Sequence, residues 1–286
     1  MLIFITTFGR VDNQITLRQI PAKFLSDTFL VVQEPEAKKH DYKRLVVLPK
    51  NLSERGLSPA RQYVLDNSKD DMICLLDDDI QFYRQRGDKS VRATEDDMLF
   101  AFKTMEKWME RRSSTLFQSS FGTTWMNRYR EESYRENTKP TQAIIFNRKL
   151  LRRVGFRFDC LSLKSDMHLA LTMLQAGYRN RVSNEFLMSQ AKGWNAEGGV
   201  SGYRNHQLLE DTARLFLLLH GTEHVNFCHY YFKNWKGLEQ RLDITVRWKK
   251  AYEDAKKNGP RKVLCGMLRD KVATARSFGK VDVEEK

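Results

Sequence analysis

The chain has 286 residues, 41% of them hydrophobic, and carries a formal net charge of +13. This is enough for one large domain or a domain with an appendage, and no apolar run approaches the roughly 18 residues of a membrane span. The four cysteines, Cys74, Cys160, Cys228 and Cys265, are far apart, which excludes paired zinc spacing and points to reduced thiols of a cytoplasmic protein.

In chain order, MLIFITTFG lacks a basic leader and a small-residue cleavage site, so it reads as a first buried strand rather than a signal peptide. TLRQIPAKFL is a short helix or irregular connector, interrupted by Pro21. TFLVVQE and RLVVLP are a second and a third strand. GLSPARQYVLDNS predicts a helix with Ser58 as N-cap and Pro59 at the first helical position. MICLL, apolar throughout, predicts a central fourth strand. In TEDDMLFAFKTMEKWMERR, Thr94 and Asp97 form a capping-box pattern, and Met98, Phe102, Met105 and Met109 share one face. TQAIIFN is a further strand, SDMHLALTMLQAG a helix from Ser165 to a stop at Gly177, and RVSNEFLMSQ a weaker strand. From about His206 the pattern turns largely helical. The whole is an α/β sequence with a mostly parallel sheet, divided as residues 1–102, 103–205 and a basic helical extension over 206–286.

The charge is uneven. Residues 1–102 hold 15 basic and 16 acidic side chains, 103–153 hold 12 and 5, 154–200 hold 5 and 4, and 201–286 hold 17 and 11. Two later regions therefore carry nearly all the excess, as a polyanion-binding surface would; a solvated basic face gives the same count.

The sharpest chemical signal is Asp77, Asp78 and Asp79, which follow the apolar MICLL run directly. Ligands of open α/β sheets bind beyond the carboxyl ends of the strands. Three carboxylates there repel one another unless a cation neutralises them. Hard divalent ions, Mn2+ or Mg2+, suit such oxygens and share them with a substrate diphosphate. The alternative is a polar loop after a strand. No Walker-type loop accompanies the triplet.

The run GLSPARQYVLDNSKDDMICLLDDDI resembles the nucleotide-sugar half of a GT-A fold glycosyltransferase, and AIIFNRKLLRRVGFRFDCLSLKSDMHLALTMLQAGYR resembles the acceptor half of inverting members. SPARQYVLDN with LLDDDIQFYRQR is similar to the bacteriophage TET-associated DNA glycosyltransferases, relatives of the base J glucosyltransferase. The resemblance implies a metal-dependent, inverting transfer from a UDP-sugar to the hydroxyl of a 5-hydroxymethyl-pyrimidine, 5-hydroxymethylcytosine first, in double-stranded DNA. A glycan, a protein or an already glycosylated base is the alternative acceptor. It implies Asp79 and Asp77 as metal ligands, with Asp77 also reaching the ribose and Asp78 assisting. Thr6, Thr7, Gly9 and Arg10 then contact the nucleotide, Gln33 or Glu34 the uracil edge, and Arg61 the diphosphate. Arg61 in a salt bridge with one of the aspartates is the competing reading. Asp166 matches the second acid of the family's acidic pair and would be the general base, or simply a helix-capping acid; Ser165 stands where the first acid is expected. Gln190, His206 and His168 are candidates for a third metal ligand. The location implied is cytoplasmic, in the host if a phage encodes the chain, with no membrane partner.

A 5-hydroxymethyl group projects into the major groove, so the enzyme must enter the groove or flip the base out. FGTTWMNRYREESYR interleaves Trp125, Tyr129 and Tyr134 with Arg128, Arg130 and Arg135, a mixture suited to backbone contact plus stacking. Arg111, Arg112, Lys149, Arg152 and Arg153 would add phosphate contacts, and Tyr203 and Arg204 belong to a GGVSGYR loop that fits the family. Core aromatics among solvated arginines would look the same.

Overall fold

The computed structural model describes residues 1–53, 55–125, 131–190, 199, 204–235 and 238–261, with backbone alone over 231–235 and 238–241. Strands β1 (Leu2–Thr6), β2 (Thr28–Val32) and β3 (Leu45–Val47) lead to helix α1 (Leu57–Asn67) and strand β4 (Met72–Asp77). They pair in the order β3-β2-β1-β4, all parallel. A hairpin of β5 (Ile80–Arg86) and β6 (Lys89–Arg92), helix α2 (Glu95–Arg111) and strands β7 (Leu116–Thr123), β8 (Tyr134–Glu136) and β9 (Ala143–Asn147) follow. Then come α3 (Arg148–Val154), α4 (Ser165–Gln175) and the long strand β10 (Arg179–Gln190). The sheet has ten strands, ordered β3-β2-β1-β4-β9-β7-β10-β5-β6 with β8 beside β10. Seven of the ten run in one direction, with β5, β8 and β9 reversed. The mixed, mostly parallel α/β class expected from sequence is the class observed.

Strand alternation supplies two cores. Phe4, Ile73 and Leu75 face one cluster, shared with α1, α3 and α4. Ile3, Ile5, Cys74 and Leu76 face the other, shared with Met98, Phe102, Met105 and Met109 of α2. The Thr94–Asp97 capping box forms at the start of α2 as expected. At Gly122, β7 passes so close to β10 that a Cβ would stand 2.3 Å from the Ser183 carbonyl oxygen. That approach accompanies the irregularity between Val182 and Leu187, past which β10 runs on to Gln190.

Several expectations are corrected. The N-cap of α1 is Gly56, at φ 90°, not Ser58. The Ser58 hydroxyl instead donates to the Ser162 carbonyl at 3.3 Å. Strands β5 to β8 were not expected; Gln118, Ser119 and Ser120 disguise β7, although all three are wholly buried. Cys160 is disulfide-bonded rather than the reduced thiol expected, whereas Cys74 and Cys228 are thiols.

The 206–286 region is not simply helical. Between α5 (His206–His220) and α6 (Trp248–Asn258) lies an antiparallel hairpin of β11 (Val225–Trp235) and β12 (Leu238–Val246). Its aromatic and β-branched residues favour strand over helix. It shares the first core: Phe216, Val225, Ile244 and Ala251 pack with Leu169 and Leu171 of α4. Residues 262–286 of the expected extension lie outside the described residues.

A buried polar chain fastens this region to α4. His168 Nδ1 lies 2.9 Å from His220 Nε2, His220 Nδ1 2.8 Å from Gln175 Oε1, and Gln175 Nε2 2.9 Å from His224 Nδ1. The His224 ring reaches Asp254 at 2.9 Å. Burial drives His168 down to about 3 and His220 well below its ordinary value, so both stay neutral. A folded-state pKa below the unfolded 6.5 means that the unfolded chain takes up the proton first as pH falls. Stability from this group is therefore complete above about pH 6.5 and declines below it. Relative to a His168→Gln protein, the wild type should lose about 2 kcal/mol between pH 7.5 and pH 5 in urea unfolding. The difference cancels the titration of groups remote from His168. Parallel curves would show that His168 is not held neutral.

Candidate active site

The carboxylate triplet stands where β4 ends. Asp77 is its last residue, level with Thr6 of β1, and Asp78 and Asp79 form the turn into β5. The segment after β1 splints this turn. Thr16 Oγ1 donates to the Asp77 carbonyl at 2.5 Å and accepts from Ile80 N at 2.9 Å, while Thr16 N donates to the Asp78 carbonyl at 3.0 Å. Gln19 Nε2 donates to the Ile80 carbonyl at 2.8 Å. Nothing in the sequence pattern singled out Thr16 or Gln19, because their work is to bind a backbone more than sixty residues away.

Two arginines pair with the three acids. Arg10 Nη1 lies 2.6 Å from Asp78 Oδ1 and 2.9 Å from Asp79 Oδ2. Thr7 Oγ1 donates to Asp78 Oδ2 at 2.7 Å, and Gln14 Nε2 donates to Thr7 Oγ1 at 3.0 Å and to the Arg10 carbonyl at 2.7 Å. Arg61, buried on α1, splits its guanidinium: Nη2 donates to Asp77 Oδ1 at 2.6 Å and Nη1 to Ser165 Oγ at 2.9 Å. The competing reading of Arg61 as an ion-pair partner is thus realised. It also accounts for Ser165, whose hydroxyl receives the second arm without adding a charge.

Burial raises Asp77 to about 6 against the pull of Arg61, with the Asp79 and Asp166 charges adding to the rise. Burial likewise raises Asp78 to about 7 against Arg10 and Thr7. Burial alone would lower Arg10, but Asp78 and Asp79 outweigh it and hold the guanidinium above its ordinary value. The site is short of positive charge even with both arginines in place.

The triplet opens on a cavity of about 440 Å³, whose wall also includes Thr6, Arg10, Arg61, Asp166, Gln190 and Arg204. Asp166 opens α4 at the acceptor side expected from sequence, close enough for its charge to raise Asp77. No ion pair or hydrogen bond claims its carboxylate among the described residues. Three elements therefore converge here: the β1 loop, the end of β4 and the start of α4.

Other expected residues lie elsewhere. Gly9 N donates to Glu36 Oε1 at 2.8 Å. Gln33 is buried and Glu34 exposed, its N–H bonded to Ser53 Oγ at 3.1 Å, and neither lines the cavity. Arg152 and Arg153 sit on α3, which begins where Asn147 pairs with Met72, at the opposite end of β4 from the aspartates. Arg152 there donates to the Asp66 carbonyl at 2.8 Å. The antiparallel course of β9 therefore sets them at the far end of β4 from the triplet. Trp125 is 62% exposed, as an open stacking surface would be. Tyr134 is not open: its ring packs 5.1 Å from Trp108, with Arg181 4.0 Å above it. Arg128, Tyr129, Arg130 and Tyr203 lie outside the described residues.

Among the described residues, no three acidic, histidine or cysteine side chains form a ready-made metal cage. His168 is committed to the buried polar chain, and His206, the first residue of α5, does not line the cavity. Gln190 Nε2 lies 3.4 Å from Asp79 Oδ1 and remains a neighbour of the triplet. One or two carboxylates completed by substrate phosphates is the way hard cations are commonly held, and Asp77 and Asp79 fit that mode. The cavity residues that sequence reading missed include Lys139, Lys164, Tyr230 and Asp243; the last pairs with Lys164 across 79 positions.

A family model described as TET-Associated Glycosyltransferase matches residues 1–199. No curated protein matches the chain by sequence. Among solved structures, the chain is similar to the mannosyltransferase PcManGT from Pyrobaculum calidifontis, in complex with GDP-Man and Mn2+. That likeness has 15% identity and a TM-score of 0.44 over 67% of this chain and 57% of that one, so the chain spans little more than half of it. It is also similar to S. aureus TarS 1-349 in complex with UDP-GlcNAc, at 12% identity and a TM-score of 0.47, over 76% and 67% of the two chains.

Breaking a buried ion pair from one side leaves an uncompensated charge. Arg61→Met should therefore cost about 3 kcal/mol in urea unfolding with chelator present, whereas Ser165→Ala, which removes a hydroxyl acceptor, should cost about 1 kcal/mol. Equal losses would show that Arg61 does not neutralise Asp77.

Proposed function

Because the chain belongs to the TET-associated glycosyltransferase family, we propose that it moves a sugar, with inversion and with the help of a divalent cation, from a UDP-sugar to a 5-hydroxymethyl-pyrimidine in DNA. 5-Hydroxymethylcytosine is the acceptor named first. The observation that carries this reading is that Asp166 and the Asp77–Asp79 triplet face one cavity from opposite parts of the fold.

The acceptor hydroxyl attacks the anomeric carbon on the face away from the departing diphosphate. One carbon–oxygen bond forms as the other breaks, so the anomeric configuration inverts. Asp166 takes the hydroxyl proton as the new bond forms; its carboxylate is at the cavity wall and uncommitted within the described chain. No acid is needed on the leaving side if the diphosphate's charge is balanced. A cation held by Asp79 and Asp77, Mn2+ or Mg2+, would supply that charge, and Arg10 and Arg61, which line the same cavity, would pair with the phosphates. Thr7 and Gln14 keep Asp78 and the Arg10 loop in position.

DNA as the partner is supported by the net charge of +13, by Arg204 in the cavity wall and by exposed Trp125. No helix of the described residues is long and apolar enough to cross a membrane. A cytoplasmic location belongs to the same proposal.

The test is mass spectrometry of nucleosides digested from 5-hydroxymethylcytosine DNA after incubation with protein, Mn2+ and a panel of UDP-sugars. The expected result is a hexose or pentose increment on the modified nucleoside, lost at least 100-fold with Asp166→Asn and lost with chelator. A protein that binds donor yet adds no sugar to this DNA would contradict the acceptor. Full activity of Asp166→Asn would contradict the base.

A further inference from the structure

Most of the polar side chains in the cavity wall are already engaged within the protein. Of its charged and amide side chains, only Lys139, Gln142 and Asp166 make no hydrogen bond or ion pair among the described residues. Asp166 is the proposed base, and Lys139 is exposed. Gln142 differs from both: it is half-buried, and its Oε1 is shut from solvent with no donor. A buried amide oxygen without a donor is unfavourable, and no protein group relieves it here. The terminal torsion of a glutamine is roughly two-fold, so a half-turn presents either end of the amide to the cavity.

The sheet fixes where this amide stands. β9 runs antiparallel to β4 with Leu76 opposite Ala143, so one step further along both strands Gln142 is level with Asp77. Asp77 is in turn level with Thr6 of β1. Phe4, Ile73, Leu75, Ile144 and Phe146 all face the core shared with α1 and α4. By alternation Thr6, Asp77 and Gln142 form a lateral row on that same side of the sheet, the side to which α4 brings Asp166. The backbone leading to Gln142 is held firmly. Thr141 Oγ1 donates to the Phe121 carbonyl at 2.9 Å. Buried Asn180 grips Thr138 with both ends of its amide, at 3.0 and 2.8 Å.

In the proposed reaction the diphosphate is matched by the cation and the arginines. The sugar then lies between the triplet and Asp166, because the attacking hydroxyl meets the anomeric carbon on the face away from the diphosphate. A neutral amide beside Asp77 offers a hydrogen-bond donor and an acceptor without adding charge, which suits a sugar hydroxyl better than a phosphate. Resting on the function proposed above, we propose that Gln142 hydrogen-bonds a hydroxyl of the transferred sugar and so helps to set which UDP-sugar is used.

The experiment compares wild type with Gln142→Met and Gln142→Ala on an oligonucleotide with one 5-hydroxymethylcytosine. The donors are whichever of UDP-glucose, UDP-galactose and UDP-xylose the wild type uses best, and the monodeoxy analogues of that donor. For the wild type, deleting the hydroxyl that Gln142 reads should lower kcat/KM by roughly 5- to 30-fold. In both variants the same deletion should change kcat/KM by less than about twofold, because the partner is already gone. Calorimetric affinity for UDP, which has no sugar to read, should stay within about twofold of wild type. If every deoxy donor loses as much in the variants as in the wild type, the assignment of Gln142 is overturned. Loss of UDP affinity in both variants overturns it too, since the residue then serves the nucleotide or the fold. Absence of any sugar transfer to DNA by a UDP-binding wild type overturns the function itself, and the role of Gln142 with it.

Discussion

The structure turns on the cost of placing three consecutive carboxylates at the buried end of a central strand. Such a cluster is unfavourable unless cations come to it from elsewhere in the chain. Arg10 comes from the loop after β1 and Arg61 from the helix before β4, and each bridges two partners rather than one. Arg61 is the longer-range of the two in effect, because its second arm reaches Ser165 at the head of α4. One guanidinium thus joins the two halves of the cavity. Asp77 and Asp78 remain raised to about 6 and about 7 despite these partners, so the triplet still favours further positive charge.

Much of this was legible in the sequence, for reasons that can be named. β4 is an apolar run that ends abruptly in acids, and a strand end is where open α/β sheets place ligands. The α2 capping box and its four-residue apolar stripe are local patterns, and local patterns survive folding unchanged. Asp166 was found through a family motif that placed it at the start of a helix, and the helix begins there.

What the sequence hid depends on distance or on direction. Arg152 and Arg153 belong to the basic acceptor-half run in sequence, yet β9 runs antiparallel to β4 and delivers them to the far end of that strand from the triplet. Strand β7 was disguised by Gln118, Ser119 and Ser120, polar residues that the sheet buries completely. Tyr134 was read as a stacking residue but is covered by Trp108 and Arg181. The C-terminal hairpin followed a clear helix and preceded another, and its contribution to the cavity through Tyr230 and Asp243 had no local signature.

In the proposed reaction the triplet holds a divalent cation alongside the two arginines. Calorimetric titration of Mn2+ into chelator-treated protein, with and without UDP, tests this most directly. One ion should bind per chain, more tightly when UDP is present, and Asp79→Asn should weaken it at least tenfold. No binding in either condition, or binding indifferent to Asp79→Asn, would contradict the account: the aspartates would then be partners of Arg10 and Arg61 alone.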